Sequence, residues 1–475
     1  MSPSIALALY AVGIAGLFYL DRDAAGERPS KALWLPVIWL WIDGSRPVSA
    51  WLGMNPRVQV GGQLPETSLL DQSIAAGLML LGFIVVSRRR REIRAVLKAS
   101  WPIALYFSYA LVSLLWSDYP AWGFKRWVRA IGEVVMVLIV ATDAHPTAAF
   151  KRLFSRVGFV LLPLSLLFIK YFPGIGRGYD QWGQHMNMGV TTNKNTLGVV
   201  VFVIALGAAW QVLRLYRDRQ QPHWNRHMLA QCVLLFFGVD LLVSAHSATS
   251  GVSFCLGAGL MMLVGMPRFR RNPATVHMLV FTILLCGSLT WIFGGTDVAT
   301  QAVGRTSDFT GRTEIWKVLI PMAPNALLGA GFETFWIGPR VDRLDKIFGF
   351  INESHNGYIE IYLNLGLTGL CLVALLLLQG YRAAVAAIRR VPSLAALLIA
   401  YVLTAAFYSV TEAGFRMTIP IWFFLLLAVT AANRLAGRPV TADAVRPVEA
   451  ALHPDALGSS SSPAWQFGAG RLRRS

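Results

Sequence analysis

Charge is one thing this sequence is short of. Only 14% of its 475 residues are charged while 55% are hydrophobic, and the mean hydropathy is +0.52. That balance excludes an ordinary soluble domain and points to a chain built for lipid. Acidic residues are the scarcer sign, 25 against 43 Lys and Arg, which leaves a net charge of +18. Cysteine is scarce too. Cys232, Cys255, Cys286 and Cys371 each fall within an apolar run, so disulfides and a zinc framework are excluded and packing roles are expected. No internal repeat is evident, which removes the matched halves typical of a transporter. The first apolar segment has no Lys or Arg before it and no small-residue cleavage site after it, so it is expected to be a retained helix.

What is present is a series of apolar runs near spanning length. They fall at residues 5–20, 33–51, 73–87, 101–116, 128–142, 155–172, 197–214, 229–244, 251–266, 276–293, 357–380, 394–410 and 419–433. Asp43, Gly44, Arg46 and Pro47 interrupt the second. The expected fold class is all-α, a polytopic integral membrane protein of about 12–13 transmembrane helices. Residues 1–436 are expected to form this one membrane domain. Residues 437–475, polar and containing four consecutive serines, are expected to be a disordered cytoplasmic tail.

The positive charge sits on alternate loops: Arg88 to Arg91 with Arg94 and Lys98; Lys151, Arg152 and Arg156; Arg214, Arg217, Arg219 and Arg226; Arg268, Arg270 and Arg271; Arg382, Arg389 and Arg390. One consistent orientation explains this pattern, with the basic loops cytoplasmic, so nucleic acid is not an expected partner. The opposite side carries one long hydrophilic loop, residues 294–356, whose charges nearly cancel. It holds Arg305, Arg312, Glu314, Glu333, Arg340, Asp342, Arg343, Glu353 and His355. A loop of that kind on one face is where recognition or chemistry is expected.

Four polar constellations mark this external face. In the first, Gly189 to Gly198, Asn193 or Thr196 is placed to cap the helix that follows. Lys194 and Asn195 then stand at its positive end, where an anion would reconcile the lysine with the helix dipole. The plain alternative is a capped helix with a lysine reaching the interface. The second, Ser244 to Gly251, is a tight turn whose Ser247, Thr249 and Ser250 either contact a sugar or phosphate or satisfy helix ends. In the third, Thr310 to Leu319, one apolar face of Ile315, Trp316 and Leu319 implies a short helix lying against the membrane surface. Arg312 in its first turn is shaped for bidentate phosphate contact, or for pairing with Asp308 or Glu314. The fourth runs from Asn352 to Gly366. Ser354 reads as a cap, and Asn356, Glu360 and Asn364 form a stripe at i, i+4, i+8 that must face the bundle interior or a wet cavity. His355 stands at the top of that stripe beside Glu353, a general-base arrangement, although a lone histidine is more often structural.

The run SHNGYIEIYLNLGLTGL after the long loop, with GRTEIW and GVTTNKNTLG before it, resembles the O-antigen ligase and polymerase superfamily, a group that includes bacterial exopolysaccharide polymerases. The segments SRPVSAWL and GGQLPETSLLDQ extend the likeness to about residues 30–435. The resemblance implies a GT-C-like, metal-independent, inverting glycosyltransferase of the bacterial inner membrane that needs no cofactor. Its donor would be a glycan on undecaprenyl pyrophosphate, used at the periplasmic face. By the same resemblance Arg312 holds the pyrophosphate and His355 activates the acceptor hydroxyl.

True ligases commonly carry a Ser-Arg pair where this sequence reads SAHSATSG, with no arginine. Lys194, Arg305 or His246 would then supply the second positive charge. This favours a polymerase joining lipid-linked repeat units over a ligase acting on lipid A-core or a protein, with a lipid-linked-oligosaccharide transporter as the third reading. A chain-length regulator is a further possible partner.

Overall fold

In the computed structural model, residues 2–22, 28–54, 68–179, 183–220, 223–292, 309–349 and 351–437 are described. Arg305, Asp308 and the tail beyond Gly437 lie outside them. The apolar runs become helices, and the residues that bound them explain where each begins. α1 (Pro3–Leu20), α2 (Trp34–Asp43), α3 (Leu69–Arg88), α4 (Arg90–Ala99) and α5 (Trp101–Val112) make the first third. α6 (Pro120–Ala141), α7 (Pro146–Tyr171), α8 (Lys194–Arg217), α9 (Trp224–Ser244), α10 (Ala248–Val264) and α11 (Ala274–Ile292) follow. The long loop contributes α12 (Phe309–Leu319) and α13 (Pro339–Phe348), before α14 (Gly357–Ala387), α15 (Pro392–Thr411) and α16 (Pro420–Gly437). Proline opens α6, α7, α15 and α16, where its missing N–H and fixed φ cost nothing. The only strands among the described residues are β1 (Arg177–Tyr179) and β2 (His185–Asn187), a short antiparallel pair with Gly178 opposite Met186.

Eight of these helices are long and apolar enough to cross a membrane, or nine if the sharply bent segment formed by α4 and the residues from Trp101 to Trp116 counts as one span. The sequence-based expectation of about twelve or thirteen also counts segments that are shorter, interrupted or charged. α2 stops at Gly44, and only a single helical turn, Val48–Trp51, follows Pro47. α10 and the stretch Ala274–Ile283 of α11 are shorter apolar helices. α6 carries Lys125, Arg126, Arg129 and Glu133. The protein is an all-α, multi-pass membrane protein all the same. Large apolar side chains such as Leu81, Phe83, Phe236, Val243, Phe281 and Leu378 are exposed around the bundle, as lipid contact requires. Cys232, Cys255 and Cys371 also point outward, so the packing role expected for them is not found.

α7, α8, α15 and α16 form the buried centre, and α1 and α3 lie at the periphery. Phe154, Tyr401 and Phe424 stack at centroid distances of 5.3–5.8 Å and lock three of the central helices together. The Nε1 of Trp210 donates to the Ser393 carbonyl at 2.9 Å, joining the end of α8 to the start of α15.

The helix expected at 357–380 is not regular. Gly366 has φ +65° and ψ −164°, which breaks α14 and frees carbonyls on its N-terminal part. Loop residues 326–331 satisfy them: Ala330 N donates to Leu363 O at 2.9 Å and Gly331 N to Asn364 O at 2.8 Å. In return, Leu367 N donates to Ala326 O at 2.9 Å and Thr368 N to Leu327 O at 3.2 Å. Irregular backbone at this depth survives only when protein surrounds it, so part of the long loop is built into the bundle. A Cβ at Gly366 would run into the Leu327 carbonyl. Gly366→Ala should therefore lower the Tm of the detergent-solubilised protein by several degrees, from about 1–2 kcal/mol of left-handed backbone strain plus the overlap. Gly16→Ala, with open space around it, should leave Tm unchanged.

Candidate active site

The mouth of the bundle is assembled around the start of α14. Asn356 is its N-cap: Oδ1 accepts from Tyr358 N at 2.9 Å and Ile359 N at 3.1 Å, while Nδ2 donates to Val410 O at 2.9 Å. The cap expected at Ser354 falls to Asn356 instead. The Ser354 Oγ donates to Asn356 O at 2.8 Å and folds the turn that presents His355, whose φ is +52°. That left-handed backbone is uncommon for a residue with a side chain and is held here by its surroundings.

The predicted polar stripe does face inward, and its groups are used inside the protein. Glu360 accepts from Ser354 N at 2.6 Å and from Trp336 Nε1 at 2.8 Å. Asn364 Oδ1 accepts from Phe335 N at 3.1 Å, and its Nδ2 donates to Glu360 O at 3.0 Å. Asn356 and Glu360, expected as substrate contacts, are thus fasteners of the site, because their hydrogen-bonding capacity is spent on neighbouring backbone and Trp336. Beneath them, α12 and α13 build a small core with Phe335, Trp336 and Leu363. α12 packs into that core, with Trp316 Nε1 on Ser354 O at 2.8 Å, and this replaces the membrane-surface helix expected from its apolar face.

Above the stripe lies a chain of alternating charges. His355 Nδ1 is 3.0 Å from Glu353 Oε1 and 3.7 Å from Glu412 Oε2. Arg312 Nη2 is 3.1 Å from Glu412 Oε1, and its Nη1 donates to the Thr411 carbonyl. Arg312 therefore pairs neither with Glu314, which takes Lys317 at 2.6 Å, nor with a loop partner in the described residues. Behind this chain Arg416 approaches Glu333 at 3.6 Å and donates to Asn352 O at 3.2 Å, while Arg126 donates to the Glu333 carbonyl. Glu412, Arg416 and Arg126 escaped identification in the sequence, and Glu333 was noted there only as one of the long loop's charges. The signal was there in part: the segments 117–127 and 411–418 each carry charge at a helix end.

Electrostatics fixes the resting protonation. Burial opposes charge on His355, but Glu353 and Glu412 outweigh it and hold the imidazolium up to about 10. Burial likewise opposes charge on Glu353, yet His355 and the arginines Arg416 and Arg312 bring its pKa down to about 2. Arg416 is raised further above its ordinary value because Glu333, Glu360 and Glu353 outweigh its burial.

The other expected residues that are described lie at the starts of α8 and α10. Asn193 caps α8 through Thr196 N at 2.7 Å. Lys194 and Asn195 are half-buried, and their side chains make no hydrogen bond or ion pair among the described residues. Ser247 Oγ donates to Ser250 Oγ at 3.0 Å, and both hydroxyls abut Gly198 of α8. Thr249 Oγ1 lies 3.0 Å from Thr411 Oγ1, so this turn reaches the residue whose carbonyl holds Arg312. Ser247 and Ser250 serve one another, and Thr249 supports Arg312 from behind.

No metal was expected, but Glu353, His355 and Glu412 bring ligand atoms within 4.8 Å of one another. Two carboxylates and an imidazole suit a divalent cation. Arg312 already occupies Glu412, however, and a guanidinium at that carboxylate opposes a second cation. Glu360→Gln should leave one of two buried donors unpaired and cost about 1–3 kcal/mol. The check is a lower Tm together with faster hydrogen exchange at the Ser354 amide.

Residues 233–374 match the family model described as O-antigen ligase, a stretch that holds Arg312, Glu333, Glu353, His355, Asn356 and Glu360. The chain is also 25% identical over 286 residues to the exopolysaccharide production protein ExoQ of Rhizobium meliloti (strain 1021). That alignment takes in 58% of this chain and 62% of the relative, so the chain spans less than two thirds of that protein's length. The likeness to the O-antigen ligase and polymerase group read from the sequence is thus borne out.

Proposed function

We propose that this protein is a polysaccharide polymerase of the O-antigen ligase type, serving exopolysaccharide production from a glycan carried on undecaprenyl pyrophosphate. The observation that carries the proposal is the Arg312–Glu412–His355–Glu353 chain, seated above a buried polar stripe within and beside the family-matched stretch. An arriving pyrophosphate competes with Glu412 for Arg312 and draws on the His355 imidazolium. As an acceptor hydroxyl attacks the anomeric carbon, the bond to the phosphate oxygen breaks and negative charge grows on the departing pyrophosphate. Arg312, His355 and Lys194 stabilise that charge, and Glu412, released from Arg312, takes the hydroxyl proton. Inversion at the anomeric carbon follows from this single displacement. The active face is then periplasmic, opposite the basic loops of an inner-membrane protein.

His355 enters this scheme as a proton-bearing cation rather than as the general base suggested by the sequence. An ordinary histidine switches near 6.5, whereas this one is held protonated up to about 10. If the imidazolium is required, kcat/KM stays level between about pH 6 and pH 8 and falls as pH nears 10, since kcat/KM reports the free enzyme. A rate that climbs tenfold per pH unit across that interval would return His355 to the role of base.

Purified protein given an undecaprenyl-pyrophosphate-linked repeat unit should produce a ladder from donor alone. A single shifted band that appears only with lipid A-core would make it a ligase, and untouched native donor in both reactions would favour transport. Arg312→Ala should lower turnover by roughly 10²–10³, the scale of one lost transition-state donor. EDTA should leave turnover unchanged, and a loss restored by added Mn²⁺ or Mg²⁺ would assign Glu353, His355 and Glu412 to a metal instead.

A further inference from the structure

At the end of the bundle opposite the glycan site, α11 and α14 flank an open cavity of about 550 Å³. Asn272, His277, Arg382 and Arg389 line it, and no acidic residue does. Arg382 and Arg389 are exposed, and neither guanidinium has a hydrogen bond or ion pair among the described residues. The first turn of α11 opens here, with Ala274 N on Asn272 Oδ1 at 3.1 Å, adding the positive end of a helix dipole. His277 Nδ1 is fixed 2.8 Å from the Tyr381 hydroxyl, which orients the ring. On the other side of Arg382 lies a second cavity of about 350 Å³, lined by Leu375, Leu378 and Ala383 together with Gln379 and Asn433. Arg382 thus stands between a cationic pocket and an apolar groove.

We propose that this pair of cavities binds one anionic phospholipid, with its headgroup phosphate on Arg382 and Arg389 and an acyl chain along Leu375 and Leu378. The depth is right. Arg382 and Arg389 belong to the basic cluster that ends α14, past the apolar run 367–378 that follows the break at Gly366, where a phosphate headgroup sits. A phosphate between two unpaired guanidiniums forms charge-assisted bonds that a zwitterionic lipid, with its own ammonium, cannot equal. The apolar groove distinguishes a lipid from a soluble phosphate, which would have no use for it. The inference is independent of the proposed glycan chemistry, because it uses none of that site's residues.

The test is native mass spectrometry of the full chain in detergent, titrated with phosphatidylglycerol, phosphatidylcholine or inorganic phosphate. One phosphatidylglycerol should be retained at least tenfold more strongly than phosphatidylcholine. Arg382→Gln and Arg389→Gln should each weaken retention by roughly five- to tenfold. Ala386→Trp, which fills the cationic cavity without changing charge, should weaken it as well. The paired change Arg94→Gln with Lys98→Gln, at another basic surface, should not. Equal retention of both lipids, an equal loss in the Arg94/Lys98 variant, or displacement of the lipid by inorganic phosphate at matching concentration would overturn the proposal.

Discussion

The mouth of this bundle depends on one carboxylate, Glu360. A carboxylate taken out of water is costly unless strong donors meet it, and here two do, from different parts of the loop. The Trp336 indole brings in the wall formed by residues 330–336, and the Ser354 amide brings in the turn that carries His355. One side chain thereby fixes the distance between the loop's own core and the turn where the chemistry is proposed. Asn364, one turn deeper, repeats the device by holding Phe335 N. A stripe that would be a liability in lipid becomes a set of anchor points once the loop folds onto it.

The charges above the stripe follow a different logic. Glu353, His355, Glu412 and Arg312 alternate in sign, so each charge faces an opposite one before any ligand arrives. Buried ion pairs add little net stability, because desolvation consumes most of the attraction. What such a chain supplies is readiness: an anion that takes Arg312 must release Glu412, and the released carboxylate lies beside the imidazolium. Binding and the appearance of a proton acceptor are then one event.

Much of this was legible in the sequence. Helical spacing alone set Asn356, Glu360 and Asn364 on one face, and the presence of polar groups in an apolar helix required that face to be interior. The proximity of Glu353 to His355 follows from two residues of separation. Glu412 was not legible, because its meeting with His355 depends on how α15 ends against α14, a tertiary fact with no local pattern. The break at Gly366 was hidden for a related reason: glycine is common inside membrane helices, and only the neighbouring loop backbone, which takes up the freed carbonyls, makes a break here possible. The role of Glu360 was misread because spacing reveals a side chain's face and not its partners.

The site also reaches beyond the stretch that matches the ligase family. Glu412 and Arg416 belong to the connection between α15 and α16, which turns through Thr418 at φ +65°. Glu133 of α6 accepts from the Thr418 amide at 2.5 Å, and Arg126, two turns earlier on α6, holds the Glu333 carbonyl. α6 therefore grips both the long loop and the short connection, and it sets their separation at the place where Arg416 meets Glu333. The charges that burdened α6 as a membrane span are what make it the positioning element of the site. A sequence segment can carry the arginine and the histidine, yet the carboxylate between them arrives from another part of the chain, held in place by a helix from a third.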